Sequence, residues 1–242
     1  MHGYKVYALA GKRQGRYYRV MRQRPSGLVL ILAPLMFINL PLISCSRSAP
    51  QIQNYTYKLI YNETAGGIQE QLSLFVLAQD EDGKEDLDRL YIINDEQQLY
   101  WTLSSSDWLT VMKDNQLWVG SNSISMVDGQ SLPRGLYRLI LTDQGGDRSE
   151  RTIGLDAPIQ SRYPFPQLQI QGDNFTVRST YPKNSLLCYD RTGSLIRRIP
   201  LTNLSGNLKG FNLAPAVFAL ALWAEDPDGN LGALTKMVPL KP

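Results

Sequence analysis

Leu132-Pro133-Arg134-Gly135-Leu136-Tyr137-Arg138-Leu139-Ile140-Leu141 aligns without gaps to Leu213-Ala214-Pro215-Ala216-Val217-Phe218-Ala219-Leu220-Ala221-Leu222. Both runs end in an acidic, glycine-bearing turn, Asp143 with Gly145-Gly146 in the first and Asp226 with Asp228-Gly229-Asn230 in the second. Asp supplies side-chain bonds to the turn backbone, and Gly supplies positive φ. Each turn leads into one more strand-like run. The pair therefore reads as one closing hairpin used twice, in two β units.

Outward from that repeat the chain keeps the same rhythm. Tyr55, Tyr57, Leu59 and Tyr61 share a face, as period two demands of a half-buried strand. Residues 72–78 are nearly all apolar and read as a central strand. Further strands are predicted at 87–93, 99–103, 107–112, 116–119, 123–127, 135–142 and 149–155. After Asp156-Ala157-Pro158 and Tyr163-Pro164-Phe165-Pro166, whose prolines stiffen a linker, come 168–170, 175–179, 186–189, 195–199, 211–213, 217–224 and 231–240. Short strands with turns every 8–12 residues or so mean a sandwich or barrel. The expectation is all-β: an N-terminal extension and signal at 1–44, a lipidated Cys and short tether at 45–53, a β-sandwich at 54–156, a linker at 157–166 and a second β-sandwich at 167–242.

Charge divides the chain unevenly. Residues 1–45 hold seven of the 25 Lys and Arg and none of the 22 Asp and Glu. The rest therefore carries 18 basic and 22 acidic groups, a net −4 against +3 for the whole. A nucleic-acid binder should show a basic face, and only Arg191, Arg197 and Arg198 cluster, so no nucleic-acid partner is expected. The sole histidine is His2. Without imidazole beyond it, Ser-His-Asp and Cys-His chemistry and histidine-held zinc are excluded from residues 45–242. Of the two cysteines, Cys188 sits in the apolar run Leu186-Leu187-Cys188-Tyr189 and reads as a buried thiol.

The other cysteine closes Leu28 to Cys45, LVLILAPLMFINLPLISC. Arg16, Arg19, Arg22 and Arg24 precede it, giving the basic start, apolar middle and small-residue cut of an export signal. A membrane-spanning helix needs about 20 apolar residues, and Pro34 and Pro41 would free backbone groups that lipid cannot satisfy. Signals run about 15–30 residues, so Met21 is the expected start of the leader. Leu42-Ile43-Ser44-Cys45 resembles the lipobox of bacterial lipoproteins. The resemblance implies a diacylglycerol on the Cys45 thiol, cleavage before Cys45 and acylation of the new amino group. Two or three chains anchor stably where one holds marginally. It also implies a cell-envelope address similar to that of diderm lipoproteins, spirochaetal ones among them. Ser46, rather than the Asp associated with inner-membrane retention, favours the outer membrane.

Gly135 and Tyr137 resemble the start of the penultimate strand in immunoglobulin-like and fibronectin-III-like sandwiches, whose Tyr bonds back to the upstream backbone. Phe218 stands in its place in the second unit. That superfold carries no function with it.

Candidate sites are few. Asp80, Asp82 and Asp86 in the acidic loop DEDGKED offer the oxygens that calcium wants, although the EF-hand spacing is not met and turn chemistry uses the same residues. The loop at Asp226 and Asp228 is the weaker of the two. Asp86, Asp88, Asp95 and Glu96 are the carboxylates available for glycoside hydrolysis. Trp101, Trp108 and Trp118 with Tyr91 and Tyr100 are the aromatics that could stack on sugars or fill a core. The expectation is a membrane-anchored, non-enzymatic binding or structural module with no resident cofactor unless calcium, its protein or glycan partner unassigned. A polymer-binding module and a carboxylate-only hydrolase are the alternatives.

Overall fold

A computed structural model describes residues 48–157 and 162–240, and Cys45 with its leader lies outside them. The described residues are all-β apart from one short turn of 3-10 helix. The first half contains β1 (Gln51–Thr64), β2 (Gly67–Gln79), β3 (Leu87–Asn94), β4 (Leu99–Ser104), β5 (Leu109–Lys113), β6 (Gln116–Ile124), β7 (Gly135–Asp143) and β8 (Arg148–Leu155). The second contains β9 (Gln167–Gln171), β10 (Asn174–Arg178), β11 (Lys183–Tyr189), β12 (Leu195–Pro200), β13 (Ser205–Asn207), the 3-10 turn Leu208–Phe211, β14 (Ala219–Glu225), β15 (Leu231–Leu234) and β16 (Val238–Pro239).

One large sheet runs through both halves in the order β12-β11-β14-β15-β1-β2-β6-β5, with β16 added against β14. Two small sheets cover its inner face: β4-β3-β7-β8 over the first half and β13-β10-β9 over the second. Inward residues at every second position build the cores, as the pleat requires. Leu72, Leu74, Val76 and Ala78 from β2 meet Leu90, Ile92, Trp101, Leu139 and Leu141 from the small sheet. A second cluster joins Phe175 and Val177 to Leu186, Cys188, Leu220 and Leu222. The repeated hairpin keeps its register: Leu139 and Leu141 are fully buried, and so are their counterparts Leu220 and Leu222.

The halves are joined edge to edge. β1 pairs antiparallel with β2 along its length and parallel with β15 through Leu59↔Leu231 to Asn62↔Leu234. Trp223 lies across this seam, where a Cβ on Gly232 would come within 2.5 Å of its ring, and the Lys58 ammonium stands 5.3 Å above that ring. Glu225 is held beside it by Lys58 and Arg198. At the other end, a Cβ on Gly120 would fall 2.0 Å from the Leu74 carbonyl oxygen, so β6 can lie this close to β2 only with glycine there.

Several features differ from the sequence expectation: the run predicted at 231–240 is divided into β15 and β16, and β1 begins at Gln51, inside the stretch expected to be tether. Strands predicted at 116–119 and 123–127 are one strand, β6, because Ser121-Asn122-Ser123 continues the pairing with β2 across a register shift. Residues 208–211 form the 3-10 turn rather than a strand at 211–213, capped by the Asn207 side chain and ended by Asn212 at φ 48°. The stretch read as a linker packs on the first core through Ala157, Tyr163 and Phe165, with Tyr163 stacked on Tyr181 at 4.5 Å.

Burial works against ionisation of Glu225, but hydrogen bonds from Lys58 and Arg198 outweigh it and hold the carboxyl at about 2 instead of 4.5. A depressed carboxyl stabilises the fold above its unfolded value, and this contribution is lost as pH falls through the folded one. Glu225→Gln is expected to lower the thermal midpoint at pH 7 and to flatten its decline between pH 4.5 and 2. A variant whose midpoint tracks the parent throughout that window would contradict the seam's reliance on this charge.

Candidate functional site

Where β2 leaves the large sheet and the chain crosses to β3, three carboxylates converge. Asp80 follows β2, Asp86 precedes β3, and Asp143 is the last residue of β7. One carboxylate oxygen from each lies within 4.8 Å of the other two. The convergence follows from strand pairing: Leu87 of β3 is opposite Asp143 of β7. The Gln144 N–H donates to the Asp86 carbonyl at 2.8 Å, and the Gln144 side-chain amide donates to the Glu85 carbonyl at 2.7 Å.

Two of the carboxylates, Asp80 and Asp143, are tied down by one oxygen each. Asp80 Oδ1 accepts the Asp82 N–H at 2.9 Å, the side-chain turn that Asp favours. Asp143 Oδ1 accepts the Asp147 N–H at 2.9 Å and so closes the β7–β8 turn. The remaining oxygens, Asp80 Oδ2 and Asp143 Oδ2, are buried and accept no hydrogen bond. Asp143 is 2% exposed.

Of the three loop residues singled out in the sequence, Asp80 and Asp86 are brought together and Asp82 is not. Asp82 turns away, and its Oδ2 accepts the Ser48 N–H at 2.8 Å, while Glu81 accepts the Ser48 hydroxyl at 2.8 Å. Asp143 takes the third place. Its sequence signal was its position as the last strand residue before a Gly-Gly turn, which turn chemistry alone accounts for. The second acidic loop is a turn: Asp226 Oδ1 accepts the Leu231 N–H at 3.1 Å, and Gly229 supplies a φ of 77°.

The other candidate residues scatter. Trp101 is 1% exposed in the first core, and its indole N–H donates to the Ser125 carbonyl at 3.0 Å. Trp108 and Trp118 are half-buried, as are Tyr91 and Tyr100, so these five form no exposed line. Asp95 is bound by Arg138, whose guanidinium hydrogen bond holds it below the usual carboxylate range, and Asp88 pairs with its neighbour Arg89. The arginines diverge: Arg198 goes to Glu225, Arg197 to the Phe211 carbonyl, and Arg191 lies over the Phe218 ring. Cys188 is fully buried, and burial, opposed by Arg197, pushes its thiol up. Tyr137 donates to the Pro133 carbonyl at 2.7 Å, the upstream bond that its resemblance implied, whereas Phe218 is 40% exposed.

A shallow hollow lies on the outer face of the large sheet, over the seam. Lys58, Asn62, Gln71, Asn122 and Trp223 line it with Leu187.

No protein-family model matches the chain, and no curated protein matches it. Among solved structures, the chain is similar to Tp47, the 47-kilodalton lipoprotein of Treponema pallidum, at 11% identity and a TM-score of 0.39. The match covers 78% of this chain and 50% of that one. The chain thus spans about half the length of that lipoprotein, and the overlap is looser than a shared fold requires.

Proposed function

We propose that the chain is an envelope lipoprotein, anchored through acyl groups on Cys45, that works by binding or spacing rather than by catalysis. Leu42-Ile43-Ser44-Cys45, at the end of an apolar run with a basic lead-in, carries this reading. The fold agrees with a short tether. Ser48 is already held by Glu81 and Asp82, and β1 begins at Gln51, so the sandwich stands close to its anchor. No helix among the described residues is long and apolar enough to cross a membrane, and the acyl chains would supply the attachment. Ser46 favours the outer membrane. The non-catalytic part of the proposal draws on the absence of histidine from residues 45–242, His2 lying upstream of them.

Expression in a diderm host with labelled palmitate tests the anchor. The parent is expected to incorporate label and to begin at Cys45 by mass spectrometry, while Cys45→Ala takes no label and keeps its leader. Label in the variant, or an unlipidated parent that begins upstream of Cys45, would contradict it.

A second reading, binding of an envelope polymer, is favoured by the hollow around Trp223. Amides from Asn62, Gln71 and Asn122 beside the half-buried Trp223 are groups that hold sugars, by hydrogen bonds and apolar contact. Cosedimentation with purified peptidoglycan is expected for the parent and weakened in Asn122→Ala, which removes an exposed amide of the hollow. Equal sedimentation of the two, or none of the parent, would remove this reading.

A further inference from the structure

At the crossing between β2 and β3, two carboxylates each have a buried oxygen with no hydrogen-bond partner among the described residues. Asp143 is 2% exposed, yet its Oδ2 accepts no hydrogen bond, and Asp80 Oδ2 is in the same state. Neither residue takes part in an ion pair among the described residues. Burying a carboxylate without a partner is costly, and carboxylates at this spacing also repel one another. The other buried carboxylates among the described residues are matched: Glu225 has Lys58 and Arg198, and Glu70 has Arg134 together with the Leu132 N–H.

We propose that Asp80, Asp86 and Asp143 bind one hard divalent cation, calcium first. All three ligands are oxygens, with no imidazole or thiolate among them, which is the donor set of calcium and not of zinc or copper. The spacing fits one ion. Oxygens facing each other across a calcium at about 2.3–2.6 Å from each lie about 4.6–5.2 Å apart, and these three lie within 4.8 Å. Water and backbone carbonyls complete the shell, as in other loop sites. The ligands come from the end of β2, the approach to β3 and the end of β7, so the ion ties the large sheet to the small one. It also fixes the loop whose Glu81 and Asp82 grip Ser48, just ahead of β1.

The test uses the full chain in detergent, stripped with a chelator and exchanged into metal-free buffer, and titrated with calcium chloride. One saturable calcium event is expected, with a dissociation constant of about 10⁻⁴–10⁻³ M, as in extracellular modules. The thermal midpoint should rise with it, because the ion binds only the folded state. Asp80→Asn and Asp143→Asn should each weaken binding by more than the roughly 10-fold that outer partners of a metal are worth. Asp82→Asn should leave the affinity unchanged. In chelator, Asp143→Asn should melt no lower than the parent, because the uncompensated charge is gone. Asp80→Asn, at a less buried position, decides the matter if Asp143→Asn does not fold. Absence of calcium heat and of any midpoint shift in the parent would overturn the site. Binding lost in Asp82→Asn but kept in Asp80→Asn would overturn the ligand assignment.

Discussion

The architecture depends on one strand being claimed from both sides. β1 gives one edge to β2 and the other to β15, about 170 residues later in the chain, and so turns two sheets into one. Parallel pairing is slightly weaker per residue than antiparallel pairing and cannot be closed by a tight turn. This seam is short and relies on side chains for reinforcement: Trp223 lies over Gly232, Lys58 over Trp223, and Glu225 sits between Lys58 and Arg198. Joining the edges also hides two strands that would otherwise offer open backbone groups to other chains.

Buried charge is handled in two ways. Glu70 lies in the first half and Glu225 at the seam, and each is matched by cations of the chain itself. Glu70 receives two hydrogen bonds from Arg134, while Arg134 Nε donates to the Ala157 carbonyl and so holds the start of the crossing segment against the first core. Asp80 and Asp143 receive no such cation among the described residues. The contrast within one molecule sets the charges that the chain neutralises internally apart from the pair on which the proposed cation site rests.

Local physics was legible in the residues, and long-range pairing was not. Alternation put Tyr55, Tyr57, Leu59 and Tyr61 on one face, which packs on the first core, and the repeat aligned Leu139 and Leu141 with Leu220 and Leu222, because burial on a pleated strand leaves a period of two. Tyr137 and its bond to Pro133 could be anticipated from one Gly-x-Tyr. The parallel register of β1 with β15 leaves no such trace, since either edge of an apolar strand can accept a neighbour. The 3-10 turn at Leu208–Phe211 was hidden because Phe211 and Leu213 are apolar in either conformation. Asp143 escaped notice as a site residue because an aspartate before Gly-Gly is accounted for by its turn. Only the β3–β7 register brings it to Asp86.

Native-state hydrogen exchange on the full chain, followed by mass spectrometry at increasing urea, tests the seam most directly. If β1 holds the two halves as one sheet, peptides covering residues 59–62 and 231–234 should lose protection together, at the same urea concentration as β2. Loss of protection over 167–240 in a separate, earlier step, with β1 and β2 still protected, would contradict the central place given to that strand.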